Sequence, residues 1–113
     1  MHIFRFDKEA GQRITKFDSN FILSKIVKTK TPAFISGMHL DAGGNIGYHE
    51  AVVPQLLLVV NGEGTVSGKE NSKVTVKAGD AVFWEQGEWH ETTSEHGMTA
   101  IVVESEELDP ASL

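Results

Sequence analysis

Without a single cysteine, this chain has no thiolate nucleophile, no disulfide and no Cys-held zinc, so site chemistry falls to its five histidines and its carboxylates. His49 and His90 lie in segments dense in glycine. The first runs from Gly43 through Gly44, Gly47 and His49 to Ala51, Gln55 and Gly62, and the second from Gly79 through Glu85, Gly87, Glu88 and His90 to Ser94. An imidazole can ligate a cation or move a proton near neutral pH. The remaining histidines lack that setting: His39 sits in an alternating strand as a core or surface side chain, while His2 and His96 fall near a terminus and in a loop. Glu85 and Glu88 lie in the turn before His90, within reach of a pocket mouth, although turn carboxylates are commonly just solvated. Trp84, Trp89 and Phe83 read as core and rim.

The elements that must position these residues are strands. Hydrophobic periodicity is two almost throughout, in short runs at Ile3–Phe6, Phe21–Lys28, Ala33–Leu40, Gln55–Val60, Gly64–Ser67, Lys73–Val76, Ala81–Trp84, Glu91–Ser94 and Thr99–Glu104. No window supports an amphipathic helix. Turn signals separate the runs, and Asn61-Gly62 predicts a hairpin because both residues accept positive φ; a second hairpin is expected around Gly68–Asn71. Many short strands in one small domain specify a sandwich or barrel. Alternation puts residues 49 and 51 on one strand face and turns Tyr48, Glu50 and Glu91 to the other.

On these residues the chain resembles the cupins. Their first motif, Gly-x5-His-x-His-x3–4-Glu-x6-Gly, is matched in frame by Gly43, His49, Ala51, Gln55 and Gly62. Their second, Gly-x5-Pro-x-Gly-x2-His-x3-Asn, is matched by Gly79, Glu85, Gly87, His90 and Ser94. Two glycines of each motif and one histidine of each are kept; Ala51 stands in place of a histidine, Gln55 of a glutamate, Glu85 of a proline and Ser94 of an asparagine. The resemblance runs from roughly Phe34 to Val103. It implies an all-β fold, a double-stranded β-helix (jelly-roll) barrel of two packed antiparallel sheets. It also implies a metal-ligand set reduced to His49, Gln55 and His90, with a divalent ion (Fe, Mn, Ni or Zn) as the implied cofactor. Two neutral imidazoles and an amide leave such an ion nearly its full charge, which favours an anionic added ligand.

One domain spans residues 1–113, with a barrel core of about 34–104. N-terminal strands over about 3–28 are expected to pack on the sheet or on a partner subunit, and a polar tail is expected over about 106–113. Charge is uneven. Residues 1–30 carry seven of the ten Lys and Arg residues against three acids, whereas beyond Lys77 there are nine acids and no basic residue. The basic charges are dispersed and the chain is acidic overall, at −6, so nucleic acid is not an expected partner. The longest apolar run, Leu56–Val60, is too short for a membrane span, and the N-terminus has no signal-peptide core, so a cytoplasmic location is expected. That run is apolar on both strand faces and, with the opposed charges, suggests a homodimer; cover by the chain's own N-terminal strand is the alternative. The functional expectation is a barrel pocket holding a divalent metal and a small-molecule ligand, oxygenase- or isomerase-like if an enzyme. The alternatives are a metal-free small-molecule binder and an accessory dimerisation or interaction module.

Overall fold

The computed structural model describes residues 1–110. Among these the strands are β1 (His2–Arg5), β2 (Gln12–Ile14), β3 (Phe21–Leu23), β4 (Val27–Thr29), β5 (Ala33–Leu40), β6 (Asn45–Glu50), β7 (Gln55–Ser67), β8 (Lys73–Lys77), β9 (Asp80–Trp84), β10 (Trp89–Thr93), β11 (Met98–Ser105) and β12 (Leu108–Pro110). Every strand pairing is antiparallel, and the helical content is three short 3-10 turns. None is long and apolar enough to cross a membrane.

Two sheets form the jelly-roll barrel, and β7 belongs to both. Its first half, Gln55–Leu58, pairs with β9 on one side and, through a longer stretch, with β11 on the other; β1 and β5 extend that sheet outward. Its second half, through Ser67, pairs with β8 and β10, and β6 closes the other sheet. The hairpin expected at Asn61-Gly62 is therefore not there. The chain stays extended through both residues, and the β7–β11 register skips Val60, so the strand carries a bulge that bends it from one sheet into the other. Gly62 takes the left-handed φ of +79 at this bend, where a Cβ would meet the Gly97 carbonyl oxygen at 2.2 Å. Asn-Gly favours positive φ, but a bulge uses that freedom as well as a turn does. The second expected hairpin is present: β7 and β8 are joined through Gly68 and the turn Lys69–Asn71.

The inner core contains Leu57, Val59, Val66, Val76, Val82, Trp84, Ala100 and Val102. Leu56, Leu58, Ala81, Phe83 and Val103 face the other way, where Phe4, Phe6, Ile26, Val27 and Leu108 of the same chain cover them. The two-faced apolar run is thus explained within one chain, not by a partner, and Val60 already leaves the core at 46% exposure. Burying each large aliphatic side chain stabilises the fold by roughly 1.5–3 kcal/mol. Two further expectations change. The run Phe21–Lys28 divides into β3, which pairs only with β2, and β4, which pairs with β12. β12 occupies Leu108–Pro110 where a polar tail was expected, because Leu108 packs on the outer core; the rest of that tail, residues 111–113, lies outside the described residues.

The bend at Gly62 yields a comparison of two glycines. Gly43 has the same φ of +79 but open space around its missing Cβ. Gly43→Ala should lose only the left-handed penalty, about 1–2 kcal/mol. Gly62→Ala should lose on the order of 3 kcal/mol or more, because the backbone of Gly97 and Met98 must also move. Thermal denaturation of the two variants checks this; equal losses would mean that the close approach at Gly62 is unimportant.

Candidate metal and ligand site

The two motif histidines lie side by side, His90 buried and His49 exposed. His49 on β6 and His90 on β10 are direct cross-strand partners, with ring centroids 4.4 Å apart. Simple alternation along β6 does not produce this meeting. Ile46 packs against the inner core and is opposite Thr92, so a regular strand would turn residue 48 inward and residue 49 outward. The register instead advances three residues on β6, from Ile46 to His49, against two on β10, from Thr92 to His90. That bulge re-aims His49 toward His90 and sends Tyr48 outside, where it packs on Trp89 at 5.3 Å. Gly47 lies in the bulge, and its carbonyl accepts a hydrogen bond from His49 Nδ1 at 2.6 Å.

His90 is held in a matching way. Its Nδ1 donates to the Glu88 carbonyl at 3.3 Å, and its ring stacks on Trp84 at 4.3 Å. Trp84 is fully buried, and its indole N–H donates to the Ser67 carbonyl at 3.2 Å, which fixes the ring against which His90 lies. A carbonyl can only accept, so Nδ1 carries the proton in both histidines. In the neutral rings Nε2 then keeps its lone pair. In His90 that Nε2 is buried and has no hydrogen-bond partner among the described residues. Burial, and to a lesser extent the neighbouring His49, lowers the His90 pKa, while the Glu88 carbonyl acts in the opposite sense. His90 is 1% exposed, whereas His49 opens to solvent. The pair thus has a dry side and a wet side.

Gln55 and Ala51 complete the sequence-derived set. Gln55 is buried and pairs across the sheet with Trp84, so its side chain shares the inward face and lies one strand from the indole that backs His90. Ala51 is buried two residues beyond His49, where its backbone exchanges hydrogen bonds with the loop before His90 (Ala51 N–H to the Glu88 carbonyl, Gly87 N–H to the Ala51 carbonyl, both 2.8 Å). Among the described residues, no group of three or more His, Asp or Glu side chains is placed to hold a metal ion.

The altered motif positions have structural uses. The Glu85 N–H donates to the Glu88 carboxylate at 2.9 Å, a bond that proline could not make. The other Glu88 oxygen accepts from the Met1 ammonium at 2.8 Å, so Glu88 clasps the loop and does not serve the pocket mouth. The Ser94 hydroxyl donates to the Glu63 carbonyl and accepts from the Gly97 N–H, tying strand ends together. His39, His2 and His96 are exposed and outside the site. One residue escaped the sequence reading. Glu104 pairs with Gln55 and follows Ala100 and Val102 in the alternation of β11, so it shares a strand face with the amide. A Glu in phase with Met98, Ala100 and Val102 was the signal.

The family model described as "Cupin domain" matches residues 37–104. None of the curated proteins matches the chain. Similar solved structures include a cupin superfamily protein from Desulfitobacterium hafniense DCB-2, with TM-score 0.63 and 14% identity over 71% of this chain and 72% of that one. An RmlC-like cupin from Shewanella frigidimarina NCIMB 400 gives TM-score 0.62 and 23% identity over 66% and 67%. A protein from Thermotoga maritima described as a predicted oxalate decarboxylase gives TM-score 0.57 and 25% identity over 61% and 62%.

Because the folded protein holds His90 neutral, its stability depends on pH in a definite sense. The folded pKa lies below the ordinary imidazole value of 6.5, so the unfolded chain binds the proton more readily. The His90 contribution should be complete above about pH 6.5 and decline as the pH falls toward the folded pKa. Denaturation in the presence of a chelator between pH 8 and pH 5 should show this decline. His90→Phe, which keeps a ring against Trp84, should flatten it; an unchanged slope would place the pH dependence elsewhere.

Proposed function

The chain belongs to the cupin domain family, and on that premise we propose that it binds a divalent metal ion through His49 and His90, with Gln55 as a weaker oxygen donor, and receives a small molecule beside it. The observation that carries this reading is the buried Nε2 of His90, a lone pair with no partner beside the ring of His49. Backbone carbonyls fix both tautomers in the form that ligation requires. The depressed pKa keeps His90 unprotonated near neutral pH, so no proton has to be displaced. Imidazole suits Fe, Mn, Ni and Zn alike, and the donor set does not choose among them. When bound, the ion would supply Lewis acidity toward an oxygen of the small molecule.

The remaining work belongs to the chain. His90 and Trp84 form the dry wall, His49 forms the open side, and Gln55 offers both a carbonyl and an amide N–H to a ligand. Since all three donors are neutral, a small carboxylate is the ligand class that best balances the ion. The Thermotoga maritima protein described as a predicted oxalate decarboxylase supports that choice, and oxalate is the probe it suggests.

Calorimetric titration of untagged protein with Mn2+, Fe2+, Ni2+ and Zn2+ tests the reading. One ion per chain is expected, and His49→Ala, at an exposed position, should weaken it at least tenfold without unfolding the protein. Gln55→Glu should tighten binding by adding the missing charge. Ala51→His should do the same while destabilising the metal-free protein by about 1–3 kcal/mol, since a buried alanine is enlarged. No binding by any of the four ions, or affinity indifferent to all three substitutions, would overturn the metal reading and favour a metal-free ligand pocket.

A further inference from the structure

Two large aromatic side chains stand in water on the side of the β6–β10 pair that faces away from His90. Burial along β10 alternates, with Trp89 exposed, His90 and Thr92 buried and Glu91 half-buried, so Trp89 and Glu91 share the outer face. Glu50 is the direct cross-strand partner of Trp89 and stands on that face as well. The bulge in β6 adds Tyr48, whose ring packs on Trp89 with centroids 5.3 Å apart and planes tilted by 31°. Mutual contact hides only part of the two rings, since Tyr48 is still 54% exposed and Trp89 46%. An aromatic pair of this size on an open sheet face has burial left to gain.

The charge around the pair has one sign. Residues 31–68, which contain β6, and residues 78–113, which contain β10, hold no lysine or arginine. Glu50 and Glu91 flank the rings, and neither makes an ion pair among the described residues. Lys73 of β8 lines a small cleft together with Glu91 and offsets part of its charge. Glu50 has no such neighbour: β6 pairs only with β10 and forms the edge of its sheet, so no lysine-bearing strand lies beyond it.

We propose that this face docks an arginine side chain of a partner protein. The face of an aromatic ring attracts a cation laid over it, and Trp89 and Tyr48 present two such faces side by side. A guanidinium fits better than an ammonium group, because it is flat enough to stack on the rings and its fork of N–H donors reaches a carboxylate at the same time. Glu50, opposite Trp89, is the carboxylate that such a fork meets. The occupant is a protein side chain because the rings stand on an open sheet face, whereas small molecules are held in concave sites. Tryptophan, tyrosine and arginine are also the residues on which protein interfaces concentrate their binding energy. The surface is independent of the metal centre proposed above, since Trp89 and Glu50 turn away from His90 and neither is among its ligands.

The two tryptophans of the chain make a direct test, one being on this face and the other in the core. In a nuclear magnetic resonance titration with the blocked peptide acetyl-Gly-Arg-Arg-Gly-amide, the Trp89 indole N–H should shift and saturate at millimolar peptide. The Trp84 indole N–H, bonded to the Ser67 carbonyl, should stay in place. Lysine in place of arginine should bind more weakly, and citrulline, which keeps the shape without the charge, should not bind. Trp89→Leu and Glu50→Gln, both at exposed positions, should each weaken binding about threefold or more, followed through the backbone amides of β6 and β10 in a spectrum that stays dispersed. Raised salt should weaken it too. The absence of a saturable shift would overturn the proposal, as would lysine or citrulline binding as tightly as arginine, or an affinity indifferent to both substitutions. A saturable shift of Trp89 with maltotriose and none with the arginine peptide would assign the rings to an uncharged sugar instead, and would equally overturn it.

Discussion

The barrel depends on one strand hydrogen-bonding in two sheets. β7 is thirteen residues long, and its two halves are paired to different neighbours. A strand can serve two sheets only if it bends without losing its ladder, and the bulge at Val60 with the left-handed Gly62 supplies that bend. The inner core follows from it. Leu57 and Val59 before the bend and Val66 after it all turn inward, so side chains from both sheets meet in one cluster. At that bend the strand also passes so close to Gly97 that no side chain fits.

A second irregularity does for the site what the first does for the fold. The bulge in β6 shifts alternation by one residue between Ile46 and His49, so that a core residue and a candidate ligand three apart share a face. Without it His49 would point outward with Tyr48's present neighbours, away from His90. The backbone then orients what the bulge delivers. Carbonyls of Gly47 and Glu88 each take one Nδ1 proton, and Trp84 supplies a flat wall. This is support from the protein's own frame, of the kind that keeps metal-ligating imidazoles in one tautomer. The departures from the motif at Glu85 and Ser94 stabilise strand ends and the loop that carries His90.

The outer face of the first sheet shows how a small domain hides a strand that is apolar on both sides. Residues from the N-terminal segment and from β12 close over Leu56, Leu58 and Phe83, which removes the need for a partner there. Large apolar side chains stay exposed on β5 and on the β2–β3 hairpin, and also at Tyr48, Val52, Val60 and Trp89.

The sequence by itself determined the strand class and the jelly-roll fold, and its motif frame singled out His49 and His90, although only the bulge in β6 sets the two side by side. Period-two alternation and the motif spacings are local properties that any register must respect. It also showed that a ligand position had become Ala51. Tertiary structure alone decided whether Asn61-Gly62 turns or bulges, because both outcomes use the same backbone freedom and only the pairing of β7 with β8, β10 and β11 separates them. Likewise, Glu104 came to share a face with Gln55 only when β11 was set beside β7, and the cover over Leu56 and Leu58 became visible only when the first and last strands were placed. Each of these rests on contacts between residues far apart in the chain, and a sequence read locally contains the pattern of a strand but not the identity of its neighbour.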